Sequence, residues 1–182
     1  MSPTADVADL LGDIPLSEIR ALLDRQAISA CILRWFRGLD RHDADIVESV
    51  FWPDAQISYG NTFTGQCDEF VPWGIQYHTD RFVLHQHHLT TQTIELDGDT
   101  AHAESYVIFF NRSADRKQLV GGARYIDRLE RRNGEWRVLV REFISEMRFI
   151  VDSLIGEGGM GTEMGRWDRE DISYRRPLPR RP

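Results

Sequence analysis

Asp40 and the run His85-Gln86-His87-His88 are the residues of this chain whose types and spacing could move a proton. Four of the six histidines fall between His78 and His88, and histidine is the usual general acid or base near neutral pH. Strand alternation puts His85 and His87 on one face and His88 on the other. Two histidines so spaced could also share a metal ion, but no third donor stands at a suitable spacing, since Glu95 and Glu104 lie far along the strands. No metal and no cofactor are assigned. Asp40 closes the segment Trp35-Phe36-Arg37-Gly38-Leu39-Asp40. At a helix C-terminus its carboxylate faces the negative end of the dipole. Following Phe36 and Leu39 it could point inward; among Arg37, Arg41, His42 and Asp43 it could equally be a solvated turn residue. Tyr59 offers a phenol that can donate a hydrogen bond. Lys117 is the only lysine, and in a polar turn it gives Schiff-base chemistry no nucleophile. Walker, G-x-S-x-G, H-E-x-x-H and paired C-x-x-C motifs are absent.

These residues need elements to hold them. Ile19, Leu22, Leu23, Ala27, Ile28, Cys31, Ile32, Trp35, Phe36 and Leu39 recur at three- and four-residue steps, the apolar face of a long helix ending near Asp40. Asp43 reads as the N-cap of a short second helix with Ile46, Val47, Val50 and Phe51, ended by Trp52-Pro53-Asp54. A short strand over 55–59, a Gly60-Asn61 turn and a brief strand to Thr64 lead to a third helix over 68–77, weakened by Pro72. Four long strands follow at about 82–96, 100–112, 118–131 and 135–150, joined by Asp97-Gly98-Asp99, Ser113-Ala114-Asp115 and Asn133-Gly134 turns. Helices first and an antiparallel meander afterwards give an α+β fold.

Within the last strand, Trp136, Val138 and Val140 share one face, while Arg137, Leu139 and Arg141 share the other, which should lie just outside the core. Val107, Phe109, Val138 and Val140 suggest an apolar outer sheet face and hence a homodimer through it.

The chain divides into a polar leader (1–16), one domain (17–150) and a tail (151–182). Gly156, Gly158, Gly159 and Gly161 suit a mobile tail ending in the basic, proline-rich run 175–182. Met160, Met164, Trp167, Ile172 and Tyr174 would instead suit a strap laid over the domain. A net charge of −7 argues against nucleic acid or an anionic membrane as partner and favours a small ligand. With two cysteines, no signal-like start and no long apolar run, the expected location is the cytoplasm.

Several segments together resemble the SnoaL-like branch of the nuclear transport factor 2 superfamily. They are Trp35 to Asp40, Trp52-Pro53-Asp54-Ala55 leading to Tyr59, His87 seven residues before Ile94, Gly121-Gly122-Ala123-Arg124-Tyr125, and Asn133-Gly134-Glu135-Trp136-Arg137. The resemblance runs from about Ser17 to Arg148. It implies a cone: a strongly curved antiparallel sheet wrapped around the N-terminal helices, with an apolar pocket at the open end. It further implies that Asp40 and His87 are the catalytic pair of the branch's lyases, that Tyr59 is their pocket tyrosine and that Arg141 is an arginine serving the pair. Trp35, Leu39, Asn111 and His88 fall to the substrate side. Trp35, Leu39 and Asn111 depart from the residues that scytalone dehydratase, hexachlorocyclohexane dehydrochlorinase and bile-acid 7α-dehydratase carry there.

The function so implied is a cofactor-independent lyase or isomerase, dehydratase-like, acting on an apolar cyclic substrate by acid–base chemistry. A non-catalytic binding module, the structural small subunit of a ring-hydroxylating dioxygenase and a metal-dependent enzyme are the alternatives.

Overall fold

The computed structural model describes residues 14–115, 117–152 and 165–178. The leader up to residue 13, the glycine-rich stretch with Met160 and Met164, and the last four residues lie outside the described residues. Helix α1 (Leu16–Asp40) runs into the short helix α2 (Ala44–Glu48), and both precede a six-stranded sheet. The sheet contains β1 (Phe51–Ser58), β2 (Thr64–Gln66), β3 (Leu84–Asp97), β4 (Thr100–Arg112), β5 (Lys117–Arg132) and β6 (Glu135–Asp152). Helix α3 (Cys67–Arg81) lies between β2 and β3, and a 3-10 turn (Ile172–Tyr174) ends the described chain. The spatial order is β2-β1-β6-β5-β4-β3.

Strands β3 to β6 form the antiparallel meander, but β1 pairs with β6 in parallel, so the sheet is mixed rather than purely antiparallel. It is curved and unclosed, with the helices against its inner face. Turns with positive φ at Gly98, and at Asn133 with Gly134, make the hairpins tight. No helix among the described residues is long and apolar enough to cross a membrane.

Only part of the long helix is wrapped. Ile28, Cys31, Ile32, Trp35, Phe36 and Leu39 are buried at helical spacing, whereas Leu22 and Leu23 upstream are exposed. The helical period continues through both halves, but burial requires a partner opposite, and that begins at Ile28. Asp43 caps α2 by accepting from the Ile46 amide at 3.3 Å. Trp52-Pro53-Asp54, expected to end this helix, instead lies inside β1. There the pairing with β6 breaks between Phe51 and Gln56; a proline without an N–H is tolerated where the ladder is irregular.

A second irregularity decides where side chains point. Leu129 pairs with Val138 and Arg128 with Val140, leaving Leu139 as an extra residue. After this bulge the alternation changes phase, so Arg141 joins Trp136 and Val138 inside the core. The expectation of an outward Arg141 is corrected by this one residue. Val107, Phe109 and Val138, expected on the outer face, are also inside. The apolar outer face consists of other residues: Tyr106, Ile108, Ile144, Met147 and Phe149 are exposed. Across the sheet Ile108 stands beside Gly122 and Gly122 beside Met147, and likewise Phe110, Val120 and Phe149 form a row.

Candidate active site

Asp40 is the last residue of α1, and β3 passes beside that helix end. Both carboxylate oxygens of Asp40 bind His87: Oδ2 accepts from the His87 backbone amide at 3.0 Å and Oδ1 meets Nδ1 at 2.7 Å. Two bonds from one carboxylate fix the strand, the ring and the tautomer together. Facing a carboxylate oxygen, Nδ1 is the donor, so in the neutral ring Nε2 is the nitrogen with a free lone pair. Phe36 stacks parallel to the imidazole with centroids 6.1 Å apart, and Phe109 lies 6.0 Å away on a tilt. The side chains of His87 and Asp40 are 5% and 13% exposed, so the pair is shielded but not sealed.

His87 forms part of the wall of a cavity of about 260 Å³. Trp35, Leu39, Tyr59, Phe70, Trp73, Tyr77, Phe109, Tyr125 and Phe143 supply most of its surface, with Asn111, His78, Ser145 and Arg148 as polar groups. This is an apolar, strongly aromatic container with a few convergent polar atoms, the usual form of a small-molecule site. Three of those atoms are buried without a partner: Tyr59 Oη, Trp35 Nε1 and Asn111 Oδ1. The Tyr59 and Tyr125 hydroxyls and the Trp35 indole come close together. Burial pushes both phenols up, so they stay protonated as hydrogen-bond donors. Gly121 makes room for this floor, since a Cβ there would stand 2.1 Å from Phe109 Cζ.

Among the residues singled out from the sequence, Asp40, His87, Tyr59, Trp35, Leu39 and Asn111 thus come together at one site. Two do not line it. His88 is exposed on the outer sheet face, edge-on to Phe110 at 5.6 Å; strand alternation from an inward His87 requires this, and its place on the substrate side is corrected. Arg141 lies beneath the cavity floor, fully buried. It is bound by Asp127 through Nε–Oδ1 at 2.7 Å and Nη2–Oδ2 at 2.8 Å, and sits 4.5 Å from the Tyr125 ring centroid and 5.0 Å from that of Trp35. Burial opposes its charge, but Asp127 outweighs burial and holds the guanidinium ionised. Arg141 therefore reaches the cavity only through the aromatic rings it supports. Asp127 is not among the residues the sequence singles out, although it shares the buried alternation of Ala123, Tyr125 and Leu129; a carboxylate in such a row needs a cation opposite.

Behind the pair lies a group of imidazoles. His85, 2% exposed, donates Nε2–H to the Leu39 carbonyl at 3.0 Å. Its ring is 4.6 Å from that of His78, 5.0 Å from His42 and 5.4 Å from His87. Burial pushes His42 down to about 4 and His78 to about 3, and drives His85 lower still, so all three are neutral at pH 7. The fold brings Asp40 to His85 and His87, a third group of metal-ligating type that spacing alone does not reveal.

The segment 165–178 packs on the turn after α1. Trp167 stacks on His42 with centroids 3.9 Å apart and reaches His85 at 4.8 Å. Tyr174 Oη donates to Asp43 at 2.6 Å, Arg169 bridges Asp43 and Asp45, and Arg41 meets Asp171 at 3.4 Å. Ile172 is exposed.

The fold thus encloses its helices in a curved, unclosed sheet and sets a carboxylate–imidazole pair on the wall of an aromatic cavity. Residues 20–142 match the SnoaL-like domain, and the chain belongs to that family. An uncharacterised protein of Mycobacterium tuberculosis is 30% identical over 135 residues, which is 71% of this chain and 90% of that one. Among solved structures, a type 2 hexachlorocyclohexane dehydrochlorinase (LinA) superposes with a TM-score of 0.69 at 16% identity, covering 80% of this chain and 99% of its own. The type 3 LinA of Novosphingobium barchaimii gives 0.68 at 17% identity, covering 76% and 99%. A protein of Novosphingobium aromaticivorans, provisionally described as a scytalone dehydratase, gives 0.65 at 20%, covering 79% and 97%.

Proposed function

We propose that this chain is a cofactor-independent lyase or isomerase that removes a proton from an apolar cyclic substrate. The observation that carries the reading is the two-bond contact of Asp40 with His87 on the wall of the aromatic cavity. In this reading His87 Nε2 takes the proton, and Asp40 stabilises the imidazolium that forms. The Tyr59 hydroxyl donates to the oxygen or leaving group on which negative charge develops, and the unpartnered Asn111 Oδ1 accepts a hydrogen bond from a substrate hydroxyl. Trp35 and Leu39 hold the ring, and Arg141 positions Tyr125 and Trp35 from below. The names of the similar structures, a dehydrochlorinase and a dehydratase, describe eliminations, which is the reaction type such a base would begin. The enzyme acts as a homodimer joined through the apolar outer face of β4, β5 and β6.

The test is a screen of cyclic alcohols, ketones and epoxides in deuterated buffer, read as loss of water, isomerisation or deuterium uptake. A compound turned over by the native chain should react at least about 10²-fold more slowly with Asp40→Asn, which keeps the shape but cannot stabilise the imidazolium. Compounds that bind native and variant chains equally and are never transformed would make the chain a binding module instead.

A further inference from the structure

His85, behind the pair, is not used by the proposed chemistry, and together with Asp40 and His87 it forms a cluster of metal-ligating groups. A carboxylate oxygen of Asp40 and one ring nitrogen each of His85 and His87 lie within 4.8 Å of one another. His85 has one nitrogen tied to the Leu39 carbonyl and His87 one tied to Asp40, while the neighbouring His78 places Nδ1 2.8 Å from the Gly74 carbonyl. His85 is held as proteins hold ligand imidazoles, with one nitrogen anchored to an oxygen and the other presented, whereas His87 would coordinate through the nitrogen that now meets Asp40. In His85 the other nitrogen, Nδ1, is buried and has no partner. A buried polar atom left unpaired calls for an explanation, and a bound ion is one. Imidazole and carboxylate donors without a thiolate suit a borderline ion such as Zn²⁺ better than an oxygen-seeking Ca²⁺ or Mg²⁺. Donors around a tetrahedral ion stand about 3.3 Å apart, so closing the site asks for side-chain shifts of roughly 1 Å.

We propose that this cluster binds a divalent transition-metal ion of the zinc class through His85, His87 and Asp40, and that the ion silences the pair. Coordination at His87 Nδ1 replaces its bond to Asp40. The imidazole proton moves from Nδ1 to Nε2, with none lost, so the nitrogen that would act as base becomes protonated. Binding stands on the cluster's own geometry; the silencing rests on the acid–base reading above.

The experiment is calorimetric titration of the full chain with Zn²⁺ in a His88→Gln/His102→Gln background, which removes two exposed strand histidines. One equivalent should still bind, and adding His85→Gln should weaken it by about 10-fold or more. Imidazole nitrogen spectra of the native chain give the same answer without the variant's folding: Zn²⁺ should shift the His85 and His87 ring nitrogens and leave that pattern intact when His88 and His102 are replaced. Absence of binding in the background variant, or affinity indifferent to His85→Gln with unmoved His85 signals, would overturn the site. For the second half, one equivalent of Zn²⁺ should abolish turnover of a screened compound, and a chelator should restore it. Zinc bound with turnover unaltered would overturn the silencing while leaving both site and base in place. If no compound is turned over by the metal-free chain, the acid–base reading and the silencing fall together, and the titration still decides the site.

Discussion

At the scale of single residues, the site rests on two carboxylates with opposite surroundings. Asp40 is partly open and holds an imidazole; Asp127 is sealed and holds a guanidinium. Breaking a buried pair from one side is costly because a charge remains without its counterion. Asp127→Asn should therefore lower unfolding stability by about 3–5 kcal/mol in denaturant titration, whereas replacing both partners by apolar residues should recover much of that loss. A cost below about 1 kcal/mol for the single change would mean that Arg141 finds another partner. Asp40 and His87 could be named from the sequence because their segments matched a known order, not because spacing showed them meeting. Arg141 could be named but not placed, since its face depends on the extra residue Leu139, and nothing in Val138-Leu139-Val140 announces a bulge. Alternation set His85 on the face of His87, but His42 offered only its residue type, and the grouping of all three depends on how α1 ends beside β3.

At the scale of elements, the segment 165–178 acts as a brace on the turn that presents Asp40. Its anchor Asp171 accepts from the Arg166 and Ser173 amides, both at 2.9 Å, and faces Arg41. Burial alone would raise this carboxyl, but the Ser173 and Arg166 hydrogen bonds and Arg41 outweigh it and hold it at about 2, against an ordinary 3.8. A lowered folded pKa means that the stabilisation is complete above about pH 4 and is lost as pH falls toward 2. Trp167 should accordingly leave His42 in that window, seen as a fluorescence change that disappears in Trp167→Phe. A Trp167 signal that is flat from pH 5 to 2 would show that Asp171 does not hold the brace. The sequence left this segment as either tail or strap, because its ion pairs join residues more than 120 positions apart and carry no local period. The meander, by contrast, was legible nearly to the residue, since alternation and turn chemistry are local.

At the scale of the whole molecule, the curved sheet separates two surfaces of different use. Its inner face supplies the aromatic cavity, and its outer face leaves Tyr106, Ile108, Met147 and Phe149 exposed, a patch whose burial would reward association. A homodimer burying on the order of 1,200 Å² or more is expected, and light scattering at micromolar concentration should give twice the chain mass, reverting toward one with Ile108→Glu. A native chain that scatters as a monomer would leave that face without its proposed partner. The inner face bears the central claim, that His87 is a base held ready by Asp40 beside a bound ring. The most direct measurement is turnover by His87→Gln of a compound the native chain transforms, with affinity for that compound measured in both. Turnover lower by about 10²–10⁴ with affinity nearly unchanged is the expected result; equal turnover in the two chains would contradict it.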